Sequence, residues 1–485
     1  MLSNNAFLLK TQKPNLPAVY YDNVCLNYEQ LKQKVLETAA ILHSSGIKED
    51  DKVALIGNND IDYVCNVLAL WQLKAVPVLI NPRLVGNEID FQTDLTDCRF
   101  ILLAKDYDIP DLESEGEKIF YPYKSKKVSP KAVENIEINP DSTAVIIFTS
   151  GVEGKSKGVE LPFNSLFQSA KIGDQVIHHT KDDKWLASLP FNHIGGFSII
   201  TRSLLFGTSI VLPENLQTEA LADALEKFKP TLCSFVPTQL KRLLDSNVQP
   251  NAELRNVLIG GGYIDKKLVM DAIHQDWKIS KVYGSTETAS FVSALTEDEC
   301  LENPTSIGRA LSPNQVVIFN ENKFRAVEGE VGEIAISSPA VMKGYYNDEE
   351  ATENCFRDEF YLTGDMGYLD MEGYLFLEAR KKDMIVTGGE NVNPNEVEDR
   401  LLEHPDIEDA AVFPIKDDEW GEIVAAAVIM RDSKKDISLD EVESFLKGNL
   451  AGFKIPRKLF YEDELPKNEL GKITRRKLTE KYEGS

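Results

Sequence analysis

The sequence predicts an α/β protein in which a large N-terminal domain layers helices on parallel sheets and a small α+β domain follows. Three observations carry this expectation. The apolar runs Val53-Ala54-Leu55-Ile56 and Ala75-Val76-Pro77-Val78-Leu79-Ile80 flank a helix-like stretch from Asp60 to Leu73, and strand, helix, strand at that spacing is the unit of a parallel sheet. The run Ala144-Val145-Ile146-Ile147-Phe148 is apolar throughout, as a strand covered on both faces is, and leads into a loop rich in Gly, Ser and Lys. After Arg380 the texture changes to two longer strands and short helices, a compact unit of about a hundred residues.

Taken in order, Leu31, Val35, Ala39 and Leu42 recur as one face of a helix from Tyr28, and Gly46 suits its C-terminal cap. Alternation of helix and strand is expected to continue to about Asp370. Beyond it, Asn393-Pro394 opens a helix, Ala410-Ala411-Val412-Phe413 and Val424 to Met430 read as strands, and Ser438-Leu439-Asp440-Glu441 is a capping box ahead of a face formed by Val442, Phe445, Leu446 and Leu450. A chain of 485 residues exceeds the roughly 250–300 at which single cores stop growing. The expected domains are 1–380 and 381–485, joined by a charged hinge.

Composition bounds the function. A hydrophobic fraction of 42% supports a packed core, yet no stretch reaches the ~18 uninterrupted apolar residues of a membrane span. A net charge of −25 argues against nucleic acid, whose binding draws on a basic face. It also means that a nucleotide site must be built locally from backbone N–H groups, a few lysines and a metal ion. The six cysteines are scattered without ligand spacing and read as reduced thiols. The N-terminus lacks the basic and apolar regions of a signal peptide, so a cytoplasmic protein is expected.

The strongest local signal is Thr149-Ser150-Gly151-Val152-Glu153-Gly154-Lys155-Ser156-Lys157-Gly158-Val159. Its glycines let backbone approach a phosphate, its hydroxyls and N–H groups donate, and its lysines offset charge. The G-K-[ST] ending of a Walker loop is missing. Alone, such a loop is more often just a turn. Four more motifs follow in a fixed order: Tyr283-Gly284-Ser285-Thr286-Glu287-Thr288, Tyr361-Leu362-Thr363-Gly364-Asp365, Arg380-Lys381 with Gly388, and Pro466 with Gly471-Lys472.

With all five, the chain resembles the adenylate-forming superfamily of acyl-CoA synthetases, luciferases and adenylation domains over essentially its whole length. The resemblance implies an enzyme that uses ATP and Mg²⁺ to activate a carboxylic acid as an acyl-adenylate and then transfers the acyl group to a thiol, coenzyme A. It also implies that the small C-terminal domain is mobile. Residue by residue, Thr149, Ser150, Gly151, Gly154 and Lys157 of the loop would hold the β- and γ-phosphates. Gly260, Gly261, Gly262 and Tyr283, with Gly284 beside it, would enclose the adenine. Thr286 would contact the α-phosphate and Glu287 the metal. Asp365, helped by Arg380, would take the ribose hydroxyls. Lys472 would bridge the attacking carboxylate and the α-phosphate, Lys381 would be the hinge, and Gly388 and Gly389 would face CoA. His193, in Leu189-Pro190-Phe191-Asn192-His193-Ile194-Gly195-Gly196, matches an aromatic or histidine between the nucleotide and acyl sites.

Joining a carboxylate to a polyphosphate brings two anions together, so fixed cations at the developing charge are what the chemistry needs. The loop departs from the usual pattern at Val152, Glu153 and Ser156. A glutamate facing a triphosphate is unfavourable, so Glu153 is expected either to turn to solvent or to weaken ATP binding. No aspartate lies in Asn192-His193-Ile194-Gly195 to pair with an amino-acid ammonium, which favours CoA over a carrier protein as acceptor. Asn81-Pro82-Arg83-Leu84 and Arg202 resemble the 2-succinylbenzoate–CoA ligases of menaquinone synthesis, and Arg202 would recognise the acid's second carboxylate. The alternatives are a medium- or long-chain fatty-acid or aryl-acid ligase, a stand-alone enzyme loading a carrier protein, and a nucleotide-binding regulator without catalysis, which leaves Lys472 unexplained. Arg202 could instead pair with an acidic neighbour. A homodimer is left open.

Overall fold

The structure, a computed structural model, describes residues 3–483 apart from 106, 108–111, 124–135, 150–155, 263, 265, 321, 381–384, 393, 432–435, 467–472 and 474. A seven-stranded sheet runs from edge to edge through Gly344–Tyr345, Lys157–Pro162, Thr143–Thr149, Val76–Ile80, Lys52–Ile56, Phe100–Ala104 and Glu117–Tyr121. The two apolar runs that announced a parallel unit pair as expected, Val53 with Pro77 and Ile56 with Ile80. The helix Ile61–Gln72 crosses between them, started by Asp60, whose side chain accepts from the Tyr63 N–H. From Tyr63 to Gln72 every residue of this helix is buried, as a helix apolar on all sides must be.

A nine-stranded sheet follows the order Arg309–Ala310, Ser293–Leu295, Ile279–Tyr283, Asn256–Ile259, Leu232–Phe235, Lys184–Leu186, Ser209–Val211, Pro17–Tyr21 and Val24–Asn27. It is parallel from Pro17–Tyr21 to Ile279–Tyr283 and antiparallel at both edges. The helix Ile194–Phe206, buried from Gly196 to Leu205, packs near the helices Phe163–Ile177 and Ile61–Gln72, with Phe197 edge-on to Trp71.

The expected alternation to about Asp370 does not hold. After Tyr283 the chain turns antiparallel, and Gln315–Phe319, Gly332–Ser337, Phe360–Leu369 and Leu375–Arg380 build a third sheet with Phe356–Arg357 at its edge. The turn between the last two long strands, residues 370–374, is too short for a crossover helix, so only hairpin pairing is open to them.

Residues 385–482 form their own α+β unit. Ile407–Asp417 and Gly421–Met430 make a long hairpin flanked by Ile385–Thr387 with Glu390–Val392 and by Lys458–Tyr461. Along Ile407–Asp417 side chains alternate between faces: Ala410 and Val412 pack with Ile385, Val392, Val397 and Leu446, whereas Ala411, Phe413 and Ile415 pack with Leu465, Ile473 and Leu478. The expected helices open at Pro394 and after the Ser438–Glu441 capping box. Lys454 of this unit pairs with its own Glu396 and with Glu88 of the larger one. The fold is thus a large α/β domain with parallel sheets and a small α+β domain. Four cysteines are buried, Cys355 is half-buried, Cys25 is exposed, and all six are free thiols. Among the described residues no helix is long and apolar enough to cross a membrane.

Candidate active site

A cleft of about 1080 Å³ opens where strands of the nine-stranded sheet end and the antiparallel sheet and the C-terminal unit meet them. Phe235, Gly260 and Tyr283 enter it at or just after the C-terminal ends of parallel strands, the place where α/β sheets bind ligands. Its volume is at the upper end of the roughly 300–1,000 Å³ usual for small-molecule sites, room for a nucleotide and an acid together.

One end of the cleft is built for phosphate and sugar. Thr149 and Lys157 face each other across the antiparallel pair that brackets the loop. The Lys157 Nζ lies 4.9 Å from the centre of the Tyr345 ring and 3.9 Å from Asp348. Tyr345 donates to Glu287 at 3.1 Å, and burial, then the Glu287 charge, push the Tyr345 and Tyr361 phenols far above their ordinary range. Glu287 thus faces the cleft beside Tyr345 and Tyr361, whose phenols stay neutral. Among the described residues no group of three or more His, Cys, Asp or Glu could hold a metal. A single carboxylate fits Mg²⁺ all the same, since that ion is commonly held by one or two carboxylates, water and substrate phosphates. Tyr283 donates to Asp365 at 2.9 Å, Asp365 is paired in register with Arg380, and Gly260, Gly261, Gly262, Gly284 and Thr286 line the same space.

In the middle stands His193, the N-cap of the helix Ile194–Phe206. Its Nε2 meets Glu390 at 3.0 Å, and Glu390 also accepts from Arg83 at 2.9 Å and from Asn81 at 3.2 Å. Burial alone would raise the Glu390 carboxyl, but the charge and hydrogen bond of His193, with Arg83 and Asn81, hold it at about 2. Burial alone would lower His193, and Glu390 overrides that and raises it. Glu390 reaches this position because Ile385–Thr387 and Glu390–Val392 are joined by only Gly388 and Gly389, with φ of +57° and +86°. Two consecutive left-handed residues are what the tightest hairpin turns require. A Cβ at Gly388 would sit 2.7 Å from the Trp420 ring, and Gly389 itself lines the cleft.

The far end holds Arg202. Nine residues beyond His193 at about 1.5 Å each, it lies ~13 Å deeper along the same helix. It is 2% exposed. Its Nη2 donates to Ser290 at 3.1 Å, its guanidinium carbon lies 4.5 Å from the Phe291 ring centre, and among the described residues its Nε has no hydrogen-bond partner. Among the described residues no carboxylate pairs with it, so the alternative of an ion pair with an acidic neighbour is not realised there. Burial lowers its pKa to about 9, which leaves it cationic at neutral pH.

Of the residues singled out from the sequence, Thr149, Lys157, His193, Arg202, Gly260, Gly261, Gly262, Tyr283, Gly284, Thr286, Glu287, Asp365 and Gly389 come together in this one cleft. Gly388 adjoins it in the hairpin turn. Ser150, Gly151, Gly154, Lys381 and Lys472, and Val152 and Glu153 with them, lie outside the described residues. Sequence reasoning missed Glu390, Tyr345 and Ser290. The one available signal was for Glu390, which directly follows the two glycines of the hairpin.

Residues 9–346 match the AMP-binding enzyme family and residues 396–472 its C-terminal domain. A 2-succinylbenzoate–CoA ligase of Listeria monocytogenes serotype 4b (strain F2365) is 33% identical over 97% of both chains. A double mutant of o-succinylbenzoate CoA synthetase from Bacillus subtilis, bound to a product analogue, superposes with a TM-score of 0.90 over 99% of both chains at 29% identity. The Bacillus subtilis enzyme in complex with ATP and magnesium ion gives 0.75 over 98% of this chain and 99% of that one, at 30% identity. Matched along both halves, and a third identical to a relative over nearly its whole length, the chain belongs to the AMP-binding enzyme family, within its acid–thiol ligases.

Proposed function

We propose that the protein joins 2-succinylbenzoate to coenzyme A. A carboxylate oxygen of the acid attacks the α-phosphorus of ATP and pyrophosphate leaves. The CoA sulfur then attacks the acyl carbon, and AMP leaves as the thioester forms. The observation that carries the choice of acid is Arg202, a buried cation lining the cleft with no carboxylate partner among the described residues. An unpaired charge in that setting is costly, and a second carboxylate on the substrate supplies the missing partner in the geometry a guanidinium favours. A fatty acid offers nothing there.

In this reading Tyr283 and Gly260 to Gly262 hold the adenine, Asp365 takes the ribose hydroxyls helped by Arg380, and Thr286 meets the α-phosphate. Thr149 and Lys157 receive the β- and γ-phosphates together with Ser150, Gly151 and Gly154. Glu287 would hold Mg²⁺, which when bound offsets phosphate charge as pyrophosphate departs. Domain 381–485 turns about Lys381, so that Lys472 serves the first step and the Gly388-Gly389 hairpin the second. The test is kcat/KM for pyrophosphate release across a panel of acids with CoA present. 2-Succinylbenzoate should lead fatty and aryl monoacids by at least tenfold, and a fatty acid in first place would reject the assignment.

The His193–Glu390 contact holds the arrangement in which the hairpin faces the cleft. Glu390→Gln should therefore slow thioester formation from preformed acyl-adenylate about tenfold, the scale of a hydrogen bond between charged groups, and leave adenylation within twofold. Because the docked pKa of His193 is raised, its share of the contact is full below about 6.5 and fades as pH rises through the raised value. The ratio of wild-type to variant rate should shrink over that rise. A ratio independent of pH would remove His193 from the contact.

A further inference from the structure

Ser290 is the one side chain among the described residues that hydrogen-bonds to Arg202, and it holds a backbone conformation that serine seldom adopts. Its φ is +99°, and that of the preceding Ala289 is +49°. Two consecutive non-glycine residues in the left-handed region are strained, and such strain persists where the surroundings impose it. Here they do. The Ser290 N–H donates to Ser285 O and the Ala289 N–H to Thr286 O, both at 3.0 Å. Ser169 donates to the Ala289 carbonyl. The Ser290 carbonyl is pressed so closely onto Gly284 that a Cβ there would lie 1.4 Å from it. The turn is fixed from three sides, and it ends by aiming a hydroxyl at the guanidinium.

Glycine would take φ +99° without strain, so the conformation alone gives no reason for a serine. The hydroxyl does. The Arg202 guanidinium lies over Phe291 at 4.5 Å, with Trp185 at 5.6 Å, contacts that set no hydrogen-bond direction and leave the fork free to turn. One hydrogen bond to Nη2 stops that rotation. We propose that Ser290 is a positioning residue: by fixing the Arg202 fork it sets the enzyme's preference for an acid with a second carboxylate. The proposal rests on the reading that Arg202 receives that carboxylate. It also ties specificity to the nucleotide motif, since the same turn begins at Ser285 beside Tyr283 and Thr286.

Ser290→Gly separates the two roles, for it removes the hydroxyl and relieves the strain together, whereas Ser290→Ala removes the hydroxyl alone. Both should raise KM for 2-succinylbenzoate roughly tenfold, with kcat and the KM for ATP within twofold. For monoacids that keep the carboxylate to be activated and lack the second one, KM should not change. The melting temperature of Ser290→Gly should equal or exceed that of the wild type, so a folding defect cannot imitate the result. Arg202→Leu is the control. If the wild type does not prefer the diacid, the reading of Arg202 fails. If it does, and Arg202→Leu loses the preference while Ser290→Gly keeps it, the role of Ser290 is overturned. An equal rise in KM for every acid and for ATP overturns it too, assigning the turn to general architecture.

Discussion

Lys472→Ala is expected to cut acyl-adenylate formation by about 10²–10³-fold, the usual cost of removing one fixed group that meets developing charge, and to spare thioester formation from preformed adenylate. In the proposed mechanism the charge is needed in one step only, when a carboxylate approaches the α-phosphate. Its absence from the other step follows from how the C-terminal unit is built. The Gly388-Gly389 hairpin is anchored by Ile385 and Val392 on one face of the sheet, while Ile473, next to Lys472, packs with Phe413 and Leu478 on the other. With the hairpin turned to the cleft and Glu390 on His193, bringing the opposite face, that of Ile473, into the same space requires the unit to rotate. Half-reactions measured separately, by pyrophosphate release without CoA and by thioester formation from synthetic adenylate, test this. Equal losses in both, or in neither, would reject the assignment.

Arg202→Leu is expected to raise KM for 2-succinylbenzoate by roughly 10- to 150-fold, the equivalent of about 1.5–3 kcal/mol for a hydrogen bond to a charged group. Monocarboxylic acids should be turned over as well as before or better. The variant should also be no less stable, because it removes a buried cation that has no carboxylate partner among the described residues and leaves an apolar side chain of fitting chemistry beside Phe291. That stability readout separates the substrate role from a structural one. Steady-state kinetics on the acid panel with a thermal melt decide it, and a uniform loss on all acids with a lowered melting temperature would assign Arg202 to folding.

Much of this was legible in the chain. Apolar runs such as Val53–Ile56 and Ala144–Phe148 have little alternative to buried strands, and glycine-rich segments after strands mark where a sheet can approach a ligand. The third sheet was harder to read. Val316 and Ile318 face Ile336 and Ile334 across a hairpin, but alternation over so short a run does not say which strand pairs with which. Thr149 and the Tyr283–Glu287 segment line the cleft because each stands at or just after the end of a strand. What the motifs could not show were contacts made by tertiary structure alone. Asn81 and Glu390 are 309 positions apart. Ser290 carries no mark of its backbone strain, since the residue types that announce a left-handed turn are glycine and asparagine. The Asn81-Pro82-Arg83-Leu84 segment was noticed as a mark of substrate class, and in the structure Asn81 and Arg83 bind Glu390 of the hairpin.

The central claim, one cleft serving two successive reactions on one acid, is tested most directly by a single-turnover experiment. Enzyme in excess is mixed with ATP, magnesium and 2-succinylbenzoate without CoA, the acyl-adenylate is quantified, and CoA is then added. The account predicts about one adenylate per molecule of the limiting acid, formed together with an equal amount of pyrophosphate, and its conversion on adding CoA into equal amounts of thioester and AMP. Thioester appearing without a prior adenylate, or an adenylate that CoA leaves untouched, would contradict it.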